Sequence, residues 1–560
     1  MKGRDALFAL LLFLLVFGVY ATSPVTQSTD SRYTIHLVKS IITEHNLNLD
    51  EYSQLIPSDD YRTEWVNEHR YPWHPIGTAV LTVPIMYVCN VVDPRCLGDV
   101  EAIYASAELY LASFFAALVV VMIYFIGRFS LGAAKSVVLA LVFAFATSLW
   151  SVASRALHQH APSMFLLCAA LLILLAARRR PWLVQFAGIP LAFSYFVRPT
   201  NSISIALLTL YVFLEYRRYI LGYLLGAALV TAPFLWVNLQ IYGSLQSPYF
   251  APDRVGATQR LLEALAGNLI SPSRGLLIYS PVLLLSIVGV ALKARNTGLN
   301  KLDLALLLAI ALHWAAVSSH ILWWGGWCYG PRFFADMLPY LAFFLIPVVD
   351  RATNSTTGPL PLAFGVLLAV SMFTHYRGAT DPATFEWNSV PTNVDFQPSR
   401  VWDWRDPQFL RGLAWYDRVM PPEISVSPSN ILLRPQPAGN GAGGVPVTIR
   451  LSRGTRFDWK VETPAEVSLS PDRGKNVTEV NAVVAIAPSG DLGGKQPEGT
   501  GTQRLGEIQI FVRPSNNPAG EWRSVSVPVD LGRGFLFHSY LPSVYGPAHR
   551  VARPGPGWQD

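Results

Sequence analysis

A chain of 560 residues that is 51% hydrophobic and only 14% charged lies far below the roughly 25% charge of an ordinary soluble protein. Its net charge of +6 comes with no basic helix carrying interleaved aromatics, which excludes a nucleic-acid-binding surface. No cysteine or histidine spacing matches a structural zinc site.

In chain order, Lys2 and Arg4 precede a short apolar segment, Ala6–Tyr20. Its end, Val19-Tyr20-Ala21, is similar to a signal-peptidase site. The segment reads as a retained first span rather than a cleaved leader, and either way the chain after Ala21 lies outside. Thr22–Glu101 is then a long external loop. Within it, Asp30-Ser31-Arg32-Tyr33 opens a stretch in which Tyr33, Leu37, Ile41 and Ile42 recur at helical spacing while His36, Lys39, Ser40 and Glu44 fill the other positions. That pattern predicts an amphipathic helix along the membrane surface. Asp30 itself is read as a catalytic carboxylate held at the water–lipid boundary, the alternative being an N-cap for this helix. Tyr71-Pro72-Trp73-His74-Pro75-Ile76-Gly77-Thr78 follows, and the Pro84-interrupted run Ala79–Val92 predicts a second interfacial or re-entrant helix. Of the four cysteines, Cys89 and Cys96 share this loop, where a disulfide and two separate thiols are both open. Cys168 reads as core packing.

Spans are expected over Tyr104–Ile126, Val137–Trp150, Pro162–Ala177, Trp182–Phe196, Ile203–Leu214, Ile220–Ile241, Ile278–Leu292, Leu304–Ile321, Phe333–Val349 and Leu360–Phe373, about eleven with the first. Lys2, Arg4, Arg128, Lys135, Arg178–Arg180, Arg217, Arg218, Lys293, Arg295, Lys301 and Arg351 then fall on one side, which is cytoplasmic by the positive-inside rule. From about Thr374 the apolar runs shorten and Pro, Gly, Ser and Asn rise. Val445–Leu451, Glu479–Ala487, Glu507–Val512 and Ser524–Val529 read as strands, with flexible loops at Gly439–Gly444 and Pro488–Gly501. The expected organisation is a transmembrane module over residues 1–376, with residues 22–101 as its first external loop, and an extracytoplasmic β-sandwich-like domain over residues 377–560.

Cations on the outer side run against the charge bias. Arg155 and His158 lie in Ser154-Arg155-Ala156-Leu157-His158-Gln159-His160, Arg198 in Val197-Arg198-Pro199-Thr200, and Arg274 in Ser271-Pro272-Ser273-Arg274-Gly275. Tyr329 and Arg332 close the Trp- and Gly-rich run Trp323–Arg332; Arg254 and Arg260 are also on this side. A cation near membrane depth costs roughly 2.5–3.5 kcal/mol unless paired or hydrated. A lipid phosphate suits the guanidinium fork, whereas snorkelling at a helix end accounts for any single one. Arg32, His74, Arg155, His158, Arg198, Arg274, Tyr329 and Arg332 are therefore expected to bind substrate or lipid phosphate.

Asp30-Ser31-Arg32-Tyr33 with its interfacial helix, followed by Tyr71–Thr78, resembles the first external loop of GT-C-fold glycosyltransferases, bacterial ones related to protein O-mannosyltransferases and lipid A aminoarabinose transferases. The Arg198, Arg274 and Arg332 segments are similar to pieces of further bacterial members. The resemblance covers the membrane part, not the C-terminal domain. It implies a GT-C-like fold, catalysis by Asp30, and a multi-pass protein of the bacterial inner membrane with its active site outside. The aminoarabinose transferases use a Lys before Pro to contact the lipid phosphate; His74-Pro75 stands in that place here. They also use a nearby acid, for which Glu68 is the nearest candidate upstream of His74. The implied donor is a polyprenyl-phosphate sugar, and the implied acceptor a glycan, lipid or protein hydroxyl. The hydroxyl loses its proton to Asp30 and attacks with inversion. A hydrolytic glycosidase needs a second carboxyl to protonate its leaving group, but phosphate leaves as a stable anion. One carboxylate and cationic clamps are then enough. No cofactor is assigned, and a divalent metal remains open. The rival readings are a lipid or sugar transporter or flippase, which predicts broken mid-membrane helices and an internal repeat, and a non-catalytic assembly subunit. No convincing repeat is present.

Overall fold

A computed structural model describes residues 3–27, 29–57, 60–250, 260–355, 357–390, 393–395, 397–419, 424–427, 431–433, 444–451, 456–486, 502–515 and 522–532. Two units divide the chain. The first comprises Met1–Phe385 with Ser399–Leu413, and the second Glu386–Pro398 with Ala414–Asp560. The boundary thus lies later than residue 376, because the last long helix runs on to Thr380 and residues 399–413 return to the helical unit. The return is anchored by polar bonds: Gln408 accepts through Oε1 from the Gly330 amide at 3.1 Å and from Arg274 at 2.9 Å.

The helical unit contains α1 (Gly3–Ala21), α2 (Thr34–Thr43), the hairpin β1 (Thr63–Val66) and β2 (His69–Pro72), α3 (Gly77–Val92), α4 (Val100–Arg128), α5 (Ala133–Phe145), α6 (His160–Ala177), α7 (Gly188–Val197), α8 (Ser202–Glu215), α9 (Ile220–Tyr242), α10 (Leu261–Ile270), α11 (Leu276–Tyr279), α12 (Leu285–Asn296), α13 (Lys301–Ser318), α14 (Leu338–Asn354) and α15 (Pro359–Thr380). Among the described residues seven helices are long and apolar enough to cross a membrane: α1, α4, α6, α13, α15, and α9 and α14 with the turns that lead into them. This is a polytopic helical membrane protein. The other four expected spans are helical but short: α5 has 13 residues, α7 10, α8 14 and α12 12. The expected Ile278–Leu292 span is broken in two because Pro281 has no amide to continue the ladder through Ser280.

Helix α1 is an integral part of the bundle. Tyr20 donates to the Ala144 carbonyl at 2.6 Å, and Asp5 meets Arg128 at 2.9 Å. The apolar core runs through α4, α5, α6 and α14, where Phe115, Ile123, Phe143, Leu171 and Phe344 are buried. One end of the bundle collects the cations, several of them paired with acids, among them Lys135 with Asp350 at 2.5 Å, Lys293 with Asp303 at 2.6 Å and Lys301 with Glu215 at 2.8 Å. Since α6 rises about 27 Å over its 18 residues, His160 at its start lies at the other end, with the first loop.

That loop is folded, not a simple surface strap. Helix α2 buries Ile35, Leu37 and Val38 but also His36 and Ser40. Half of the predicted polar face is thus covered, with Lys39 partly buried and Glu44 exposed, and His36 reaches Glu101 at 2.7 Å. Helix α3 continues through Pro84 as a 16-residue element. Gly77 lets it touch α7, since a Cβ there would stand 2.3 Å from the Phe196 carbonyl oxygen. Cys89 and Cys96 form a disulfide at a Cα separation of 6.0 Å, which resolves the open pairing.

The second unit is a β-sandwich. Strands are β3 (Ile424–Ser427), β4 (Ile431–Leu433), β5 (Val445–Leu451), β6 (Phe457–Glu462), β7 (Val467–Ser470), β8 (Arg473–Val477), β9 (Glu479–Ile486), β10 (Thr502–Pro514) and β11 (Arg523–Gly532). They order as β4-β11-β10-β6-β8 in one sheet and β3-β5-β9-β7 in the other. Inward residues Ile449, Phe457, Trp459, Val484, Ile508 and Val529 form one core between them. The four predicted strands match β5, β9, β10 and β11; the others lie outside the expected set, although β6 alternates cleanly as Phe457-Asp458-Trp459-Lys460-Val461-Glu462. The expected loops at 439–443 and 488–501, and Arg254, lie outside the described residues.

Candidate active site

Asp30 sits four residues before α2, and the N-cap position belongs to Tyr33, which makes no side-chain cap bond. Asp30 is therefore not spent on capping. Its Oδ2 accepts from Arg332 Nη2 at 2.9 Å and lies 3.1 Å from His158 Nε2, while Oδ1 accepts from the Tyr61 hydroxyl at 3.2 Å. Residues 302 and 128 positions away in sequence thus converge on one carboxylate. The side chain is 18% exposed, shielded yet reachable. Burial alone raises its pKa, but the Arg332 charge, the His158 bond and the nearby His74 prevail and hold the carboxyl well below the usual range. Burial and the Asp30 charge push the Tyr61 phenol up, so it stays a donor.

Behind this carboxylate lies a buried polar chain. His158 stacks on His160, with centroids 5.2 Å apart. Arg198 Nη1 lies 2.6 Å from His160 Nδ1 and 2.8 Å from Asp336 Oδ2. Asp336 is fully buried, and His313 approaches it at 4.0 Å. Arg always donates, so His160 Nδ1 is the acceptor and its proton sits on Nε2. Among the described residues, the buried nitrogens His158 Nδ1, His160 Nε2 and Arg332 Nε have no hydrogen-bond partner, nor has His313 Nδ1 deeper in the chain; the first three belong to residues that meet at one place. All three residues line one small cavity with Gln27, Trp327 and Cys328. Buried polar atoms are rarely left unmade in a native protein, so the cluster is chemically incomplete without a polar group.

A second cavity opens on the other side of Asp30, lined by Tyr33, Arg62, His74 and Ile76. His74 also lines an adjoining apolar groove with Phe196, Phe234, Val237, Ile241 and Phe250, between α7 and α9. His74 therefore stands where a greasy groove meets the carboxylate side.

The remaining predicted site residues are placed elsewhere. Arg32 turns to Glu101 at 2.8 Å and lies over the Tyr104 ring. Arg155 is buried and donates to the carbonyls of Tyr20, Ser23 and Trp150. Arg274 is likewise buried and donates to the carbonyls of Ser273, Trp324 and Gly326 and to Gln408. Tyr329 is buried, donating to the Thr374 carbonyl at 2.5 Å. Gly330, at φ +59°, lets that loop pack on the Tyr279 ring, since a Cβ there would stand 2.7 Å from the ring's Cδ1. Glu68 is exposed at the left-handed turn of the β1–β2 hairpin, with φ +68°. Arg155 and Arg274 thus serve backbone carbonyls of loops and helix ends, partners that sequence does not display. Removal of Arg155 side-chain atoms (Arg155→Ala) orphans those carbonyls and is expected to cost at least about 3 kcal/mol of stability. Thermal unfolding in detergent checks this.

Sequence patterning does not single out Tyr61, His160 or Asp336 as site residues. Of these, His160 alone carries a signal, in the His158-Gln159-His160 spacing. Among the described residues no group of three or more His, Cys, Asp and Glu side chains is placed to hold a metal ion.

No protein-family model matches the chain, and no curated protein matches it in sequence. Solved structures do match. One is ArnT from Cupriavidus metallidurans bound to undecaprenyl phosphate, at 14% identity and TM-score 0.42, covering 67% of this chain and 70% of that one. Another is the Archaeoglobus fulgidus oligosaccharyltransferase tethered with an acceptor peptide, at 14% identity and TM-score 0.44, covering 73% and 59%. Its apo form matches at 12% identity and TM-score 0.41, over 72% and 60%. Likenesses this loose carry no argument about function, which rests on the side chains.

Proposed function

We propose that the protein is a membrane glycosyltransferase that moves a sugar from a polyprenyl-phosphate donor to an acceptor hydroxyl, with inversion, on the extracytoplasmic side. The observation that carries this reading is the Asp30 carboxylate held by Arg332 and His158 beside buried nitrogens that lack partners. The isoprenoid tail lies in the apolar groove between α7 and α9, and His74 meets the phosphate where the groove ends. Arg332 shares its charge between Asp30 and the phosphate. As the donor anion arrives it competes for Arg332, which frees the Asp30 carboxylate to act on the acceptor's proton. The leaving phosphate keeps the negative charge that develops, stabilised by Arg332 and His74. The cation-rich opposite end fits a cytoplasmic face, and the Cys89–Cys96 disulfide fits an oxidising compartment on the Asp30 side. The acceptor is a glycan, lipid or protein hydroxyl.

Undecaprenyl phosphate, needing no knowledge of the sugar, tests this. Added to the purified protein, it is expected to raise the melting temperature in a concentration-dependent way. Arg332→Gln should weaken that binding by about tenfold or more, the value of a lost charge-assisted hydrogen bond. Equal stabilisation of both proteins by undecaprenyl phosphate would remove Arg332 from the site.

A further inference from the structure

We propose that His158 is the group that takes the proton of the acceptor hydroxyl, through Nδ1, an assignment that rests on the transferase reading. Asp30 then holds the imidazole in the tautomer and orientation that make this work. The geometry is that of a carboxylate–imidazole pair. His158 Nε2 lies 3.1 Å from Asp30 Oδ2. An ionised carboxylate only accepts, so Nε2 carries the proton and Nδ1 presents a lone pair. That Nδ1 is buried and has no partner. The imidazole ring lines the small cavity with His160 and Arg332. The space there holds roughly one water molecule, the size of the hydroxyl it would admit. Its neighbours have complementary roles: His160 Nε2–H and Arg332 Nε–H donate, and His158 Nδ1 accepts. One acceptor beside two donors suits a hydroxyl that must lose a proton next to a phosphate that must gain hydrogen bonds.

Charge on the ring is set by the groups facing it. Asp30 favours the imidazolium, while Arg332 and Arg198 oppose it; the neutral His160 ring stacks on it, and Tyr61 and His74 act on Asp30 from the other side. Burial, the largest influence, keeps His158 below the ordinary histidine value, so the ring is neutral and competent near pH 7. Asp30, held well below the carboxylate range, is by itself a poor match for a hydroxyl proton. Relayed through the imidazole, its charge instead stabilises the imidazolium as it forms.

The step balances. The acceptor O–H bond breaks and its proton joins His158 Nδ1. The acceptor oxygen bonds to the anomeric carbon, the bond from that carbon to the phosphate oxygen breaks, and the electron pair leaves with the lipid phosphate. The imidazolium then returns its proton to solvent.

The test is the pH dependence of kcat/KM for the full chain in vesicles with a polyprenyl-phosphate sugar. Wild type is expected to lose activity on the acid side with a midpoint below the ordinary histidine value of about pH 6.5. His158→Gln keeps an amide donor for Asp30 but no proton acceptor. It should run roughly 10²–10⁴-fold slower and lose that acid limb, while still being stabilised by undecaprenyl phosphate, which shows that it folds. A wild-type profile flat down to about pH 4, or a His158→Gln variant at the wild-type rate, overturns the proposal and leaves Asp30 to take the proton directly, with the transferase reading intact. Absence of transfer from every polyprenyl-phosphate sugar by the wild type would sink both.

Discussion

Asp30→Asn is expected to slow sugar transfer by roughly 10²–10⁴-fold, the contribution of a positioned proton-transfer group, with little change in melting temperature. The amide is isosteric: Arg332 bonds Oδ2 and Tyr61 bonds Oδ1, so the one amide oxygen keeps the Arg332 bond while the amide nitrogen donates to the Tyr61 hydroxyl oxygen, and the loop keeps its shape. The charge is what disappears. Without it, Arg332 has no anion to share, and an amide presents a donor as readily as an acceptor to His158 Nε2. The imidazole can then sit in the wrong tautomer. Binding of undecaprenyl phosphate should survive and even tighten, because a competing anion has been removed from Arg332. A transporter or an assembly subunit predicts otherwise: its activity would be nearly indifferent to this change. Parallel measurement of transfer and lipid-phosphate binding in one preparation separates the cases.

Asp336→Ala is expected to be the most destabilising single change near the site, by about 3–5 kcal/mol, since it strips a buried guanidinium of its counter-ion. Asp336 is fully buried, and Arg198 beside it is 6% exposed. The cost should be visible as a lowered melting temperature even in the presence of lipid phosphate. Arg198→Met combined with Asp336→Leu should recover much of that stability, because an apolar pair of similar volume no longer buries a lone charge. It should not recover transfer. Arg198 Nη1 lies 2.6 Å from His160 Nδ1, and without that donor the His160 proton is no longer confined to the nitrogen that serves the cavity. Recovery of stability and transfer together would reduce the Asp336–Arg198 pair to a packing element.

What sequence patterning conveys well is anything set by local chemistry. Asp30 stands out because an acid follows an apolar segment and precedes a periodic helix. The longest spans stand out because a bilayer demands an apolar run of fixed length. The β5, β9, β10 and β11 strands stand out through β-branched runs between turn residues. Partnership across the chain is another matter. Arg155, Arg274 and Arg332 look alike as outer-side cations, yet the first two serve backbone carbonyls and only Arg332 reaches Asp30. The difference lies in which carbonyls lie nearby: Trp150 in the turn Leu149–Ala153 and Tyr20 at the end of α1 for Arg155, and Trp324 and Gly326 for Arg274. Asp336 is hidden for a similar reason: one acid in an apolar stretch announces a partner but not which one. His36, on the expected polar face of α2, is buried because Glu101 and Tyr104 of α4 and the Tyr52 ring pack against it, a tertiary fact that periodicity does not contain.

The most direct measurement is an experimental map of the protein with undecaprenyl phosphate bound. The phosphate is expected within hydrogen-bond distance of Arg332, beside Asp30, with its tail running past His74 into the groove of Phe196 and Phe234. A phosphate seated instead at the opposite end of the bundle, among Arg128 and Arg179, with Asp30 still closed on Arg332 and His158, would contradict the assignment of this carboxylate to sugar transfer.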